Sequence, residues 1–200
     1  METMYRRASL AAACTAAFAL TALGSSPASA ITTYPAWDGS EEVSSFGCPN
    51  TTTYGQVITV KNKDILSKFA FSWKYAGESG GSMVVRGEVY QWDGSKATGS
   101  ALWESEPRKV SFTDGVFHSE VFKPGALPLT PDTRYVLFAS IDKDFAKCKN
   151  GYVVGWGAVD DGAYTGGTFV FQNNAGNSAN WTVSPWSAFG LDLAFDAKLQ

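Results

Sequence analysis

Residues 84–105 alternate with a period of two, and that pattern limits the fold more than any other stretch of the chain. Val85, Val89 and Gln91 fall on one side of the repeat, while Arg86, Glu88, Tyr90 and Trp92 fall on the other. Asp93-Gly94 then interrupts the run with a turn-forming pair, and residues 97–105 continue as a second strand.

The same grammar recurs along the chain. Residues 56–60 read as a strand, and in residues 69–75 the rings of Phe69, Phe71, Trp73 and Tyr75 alternate with Ala70, Ser72 and Lys74. Further strands are expected over 108–112, 116–122, 152–158 and 168–172. Residues 133–141 are apolar on both faces, which predicts a central strand. Residues 190–199 alternate Leu191, Leu193, Phe195, Ala197 and Leu199 with polar or small neighbours, a half-buried final strand. About ten strands separated by turn signals, with no helix, predict an all-β chain: a two-sheet antiparallel β-sandwich, jelly-roll-like. No internal repeat supports a propeller or a solenoid. The expected core brings together Phe69, Phe71, Trp73, Val85, Val89, Leu137, Leu191, Leu193 and Phe195.

Residues 1–30 read as a signal peptide. Arg6-Arg7 supply the basic start, residues 8–23 the apolar run, and Pro27-Ala28-Ser29-Ala30 a small-residue cleavage signal, with cleavage near Ala30. Cys14 lies inside this leader, but Ala11-Ala12-Ala13 is a poor match to the signal for an acylated first residue. Secretion is therefore expected. Residues 31–54 lack sustained periodicity and read as an extended N-terminal segment, and residues 55–200 as the β-sandwich domain. No later run reaches the ~20 apolar residues that a spanning helix needs, so the mature form should not insert into a membrane. The chain carries 16 Lys and Arg against 19 Asp and Glu, a mild acidic excess without a basic stripe. Nucleic acid is thereby disfavoured as a partner. Cys48 and Cys148 remain after the leader and are expected to form a disulfide outside the cell; two separate buried thiols are the alternative.

Five stretches carry a resemblance: Tyr90-Gln-Trp-Asp-Gly94, residues 97–105, residues 129–136, Gly167-Thr-Phe-Val-Phe-Gln-Asn-Asn174 and Asp192-Leu-Ala-Phe195. Together they resemble a β-sandwich domain family of bacterial secreted proteins, some of whose members carry a C-terminal sorting anchor. The resemblance covers roughly residues 55–199 and implies a β-sandwich outside the cell. The family's function is not established, so no catalytic residue carries over. The chain stops at Gln200 without an apolar tail, unlike the anchored members.

No residue set declares a reaction. Gly77-Glu-Ser79-Gly-Gly81 matches G-x-S-x-G, yet a strand follows the serine where a nucleophile elbow requires a helix. His118, the sole histidine, is expected to face solvent, with Phe117 and Val121 on the buried side. One histidine makes a zinc site of the usual type untenable. Asp142, Asp144, Asp160 and Asp161 near strand ends are the carboxylates that could meet calcium, although their spacing fits no loop motif, and no cofactor is expected. The richest stretch is the last third, where long polar loops carry Tyr164, Trp181 and Trp186 with Asp160, Asp161 and Asn174. Rings can cover the C–H face of a sugar, and amides and carboxylates can pair with its hydroxyls. The expected function is accordingly a secreted non-enzymatic binding module for glycan or cell-wall polysaccharide. A structural or adhesive surface protein, with the rings plugging the sandwich, and a secreted hydrolase are the alternatives.

Overall fold

The computed structural model describes residues 29–200 except Lys63 and Ser79. Fifteen strands are found among them. In chain order they are β1 (Ser29–Thr32), β2 (Glu42–Gly47), β3 (Thr53–Thr59), β4 (Ile65–Tyr75), β5 (Met83–Trp92), β6 (Ala97–Glu104), β7 (Arg108–Val110) and β8 (His118–Phe122). There follow β9 (Leu127–Pro128), β10 (Arg134–Ser140), β11 (Val153–Asp160), β12 (Phe169–Gln172), β13 (Ser187–Ala188), β14 (Leu191–Leu193) and β15 (Phe195–Leu199). The stretch read as a signal peptide, including Cys14, lies outside the described residues apart from Ser29 and Ala30, which sit in β1.

These strands make two antiparallel sheets packed face to face. Sheet A holds β1, β2, β4, β8, β9, β11, β14 and β15, and sheet B runs β13-β12-β3-β10-β5-β6 with β7 beside β5. The all-β sandwich read from the alternation is thus observed. Its core contains Phe69, Phe71 and Trp73 of β4, Val85 and Val89 of β5, Leu137 of β10, and Leu193 and Phe195, as expected, whereas Leu191 is only partly buried. Trp156 packs there too, its ring centroid 4.7 Å from Phe71 and 4.8 Å from Trp73. β10 lies between β3 and β5, and both of its faces are buried, Tyr135 and Leu137 in the core between the sheets and Val136 and Phe138 in a second cluster.

Three local readings differ from the sequence. First, the segment over 31–54 contributes to the sandwich: β1 pairs with β15, and β2 with β11. A bulge hides β2, because the four residues from Val43 to Phe46 oppose three on β11, Val154 to Trp156, and Ser45 takes φ 85°. Gly47 ends this strand at φ 140°, where an added Cβ would lie 2.2 Å from the Tyr152 carbonyl oxygen. Second, β8 is inverted. Phe122, Glu120 and His118 sit opposite Phe69, Phe71 and Trp73, so they share the core-side face at the sheet edge. Phe117 instead packs against Trp37 at 4.7 Å. With phenylalanines at 117 and 122, alternation alone supports either parity. Third, short helical turns occur at Tyr34–Ala36, Asp142–Lys147 (both 3₁₀) and α1 (Asn180–Val183).

Cys48 and Cys148 form a disulfide with Cα atoms 6.1 Å apart. It ties the end of β2 to the 3₁₀ segment after β10.

Candidate functional site

The outer face of sheet B is apolar as well, and its side chains form rungs across three strands. Val57, Val136 and Tyr90 make one rung of β3, β10 and β5; Gly55, Phe138 and Glu88 make the next. Thr53, Ser140 and Arg86 follow. At the opposite end, Arg134 faces Thr59, and Trp92 continues that line on β5. An added Cβ on Gly55 would come 2.6 Å from Cβ of Phe138, so the glycine leaves room for that ring.

One half of this face is covered by residues 173–189. Trp181 meets Phe138 edge-on at 5.0 Å and Tyr90 at 6.1 Å, while Trp186 meets Phe138 at 5.2 Å and Trp92 at 5.6 Å. The buried carboxylate of Asp142 holds this cover down. Its Oδ2 accepts hydrogen bonds from Trp181 Nε1 (3.0 Å), Asn174 Nδ2 (3.1 Å) and Thr53 Oγ1 (2.9 Å), and its Oδ1 accepts from the Gly176 amide (3.0 Å). Trp186 Nε1 donates to the Trp181 carbonyl at 2.9 Å.

Beside Trp181 lies a charged network. Lys143 Nζ is 2.9 Å from Glu88 Oε1 and 2.5 Å from Glu104 Oε2, and it stands 5.2 Å over the Trp181 ring. Arg86 bridges Glu104 and Asp144. Burial pushes the fully enclosed Glu88 carboxyl up to about 7, against an ordinary value of 4.5, and the Lys143 ammonium only partly opposes it. Between these values the folded chain binds a proton that the unfolded chain has lost. Stability therefore falls as pH rises through this window, by about 3 kcal/mol in total. Glu88→Gln should flatten that dependence, raising the urea midpoint at pH 8 relative to the parent and leaving it little changed at pH 4. A parent whose stability increases between pH 5 and 8 at this position's expense, with no flattening in the variant, would contradict the assignment.

The other half of the face is open. It forms a groove of about 700 Å³, with Val57 and Val170 in the floor, Trp92, Trp186 and the Gly94-Ser95 turn along one side, and Thr165 to Thr168 along the other. Lys61, Asp132 and Arg134 are its charged lining residues. Trp92 and Trp186 are each 7% exposed, so they offer edges rather than whole ring faces.

The residues singled out in the sequence do not converge on one point. Trp181, Trp186 and Asn174 meet in the cover; of the six, only Trp186 lines the groove. Tyr164 lies half-buried where the sheets join. Its hydroxyl accepts from the Thr59 amide at 2.9 Å, and its own amide donates to Asp192 at 2.8 Å. Asp160 and Asp161 line a separate hollow of about 350 Å³ with Trp37, Asp38 and Glu41. Of the four aspartates weighed for calcium, Asp142 is taken up by its donors and Asp144 by Arg86 and Lys147. Among the described residues, no group of three or more His, Cys, Asp or Glu side chains is placed to hold a metal ion. Ser79 lies outside the described residues, and His118 Nε2 is 2.9 Å from Asp114 Oδ1 with its ring against Phe112.

Sequence reasoning passed over Arg134, Thr59 and Val57 as site residues. The signal was present in the two-sided apolar pattern of β10, since a second buried face requires a second cover and a place where that cover ends. No family model matches this chain, and the comparisons with curated proteins and with solved structures find no match either.

Proposed function

We propose that this chain is an exported, non-enzymatic binding module that seats a glycan or cell-envelope polysaccharide in the groove on the outer face of sheet B. The supporting observation is the groove itself, concave and about 700 Å³, with an apolar floor and a hydroxyl-bearing and charged rim. Val57, Val170 and the indole edges suit the C–H surface of a sugar, and Thr59, Thr165 and Thr168 suit its hydroxyls. The disulfide accords with an oxidising destination. Among the described residues, no helix is long and apolar enough to cross a membrane.

A structural or adhesive role is the second reading. It draws on the burial of Trp181 and Trp186, which serve packing first.

The test is a polysaccharide pull-down with the parent and an Ala188→Gln variant. Ala188 is exposed and lines the groove, so the longer side chain obstructs it without touching the core. Binding to at least one polysaccharide is expected, weakened roughly tenfold or more in the variant. The melting temperature should stay nearly unchanged, as for most surface substitutions. Equal binding by both proteins would remove the groove from the account, and an absence of binding across the panel would favour the structural role.

A further inference from the structure

Resting on that groove reading, we propose that the saccharide carries negative charge and that Arg134 receives it. Arg134 opens β10 opposite Thr59, and it shares the outward parity of Val136 and Phe138, which directs its side chain to the groove. Three arginines are described. Arg86 pairs with Glu104 and Asp144, and Arg108 with Glu120, whereas Arg134 has no carboxylate partner among the described residues.

The second cation, Lys61, meets Asp132 at 3.4 Å with side chains 69% and 81% exposed. Such a pair in water contributes little, so Lys61 is readily redirected to a ligand. The groove thus presents two cations and one carboxylate in a chain whose net charge is −3. A guanidinium fork matches the two oxygens of a carboxylate or phosphate, and pairing would strengthen beside the apolar floor. The shared chemistry is a sugar-linked anion, either the carboxylate of a uronic acid or the phosphodiester of a polyol-phosphate chain.

Three probes separate the possibilities: polygalacturonate, its fully methyl-esterified form, and poly(glycerol phosphate), each titrated into the parent, Arg134→Gln and Ala188→Gln. At least one charged chain should bind roughly tenfold or more tighter than the ester. Arg134→Gln should erase that preference while melting like the parent, because the residue is exposed. Which charged chain binds identifies the carboxylate or the phosphate source. Equal affinity for the ester, or a charge preference that survives in Arg134→Gln, overturns this inference and leaves the groove reading intact if Ala188→Gln still blocks the neutral chain. Failure of all three probes to bind overturns this inference, while the groove reading falls only if the wider polysaccharide panel fails as well.

Discussion

Trp181→Ala is expected to destabilise the fold by ~3–5 kcal/mol, the range for removing a large buried ring. The side chain is only 2% exposed, lies on Phe138 and Tyr90, and gives its N–H to Asp142. Truncation removes the apolar contact and one donor of a buried carboxylate, a second cost of about 1–3 kcal/mol if water does not replace it. Trp181→Phe should fall well short of the alanine loss, since it keeps a ring and forfeits only the N–H. Urea unfolding with a near-ultraviolet spectrum would read both. An alanine variant within about 1 kcal/mol of the parent would show that the cover is not anchored as described.

Replacing both Cys48 and Cys148 with serine should have a comparable effect. The bridge spans 100 residues of sequence, for which the chain-entropy model gives about 4–5 kcal/mol. Its local consequences reach further than its place at the edge suggests. Cys148 follows the 3₁₀ segment that carries Asp142, Lys143 and Asp144, so loosening it disturbs the anchor of Trp181 as well. The two sets of changes should combine to less than their sum, because neighbouring sites that share partners are not additive. Thiol titration of the native protein under non-reducing conditions should find both cysteines blocked, and two free thiols would contradict the bridge.

The fold was legible wherever a strand alternates without interruption. β4, β5 and β10 showed their facing residues directly, and eight of the nine expected core side chains meet between the sheets. β2 escaped because its bulge breaks the period, and β8 was inverted because an edge strand with two competing phenylalanines has no unique parity. The shared face of Arg86, Glu88, Tyr90 and Trp92 was recognised, but what covers it was not. Its cover comes from residues 173–189, whose rings are set by a single helical turn and by hydrogen bonds to Asp142, neither of which leaves a periodic trace. Composition alone grouped Trp181 and Trp186 with Tyr164, Asp160 and Asp161. Topology separates them, because a sandwich places successive loops at different ends and faces.

The rungs beneath the groove belong to strands whose opposite sides are locked into the core. Val57 and Val136 stand back to back with Ile58, Tyr135 and Leu137, so the floor has almost no freedom of its own. Whatever enters meets a preorganised surface, and little ordering entropy is spent on the protein's side. Around that floor stand the 93–96 turn, the 165–168 wall and the exposed Lys61 and Arg134 side chains. On the proposed binding role, ligand preference would be changed at the rim alone, at Lys61, Arg134 and those two short segments, with the buried core untouched.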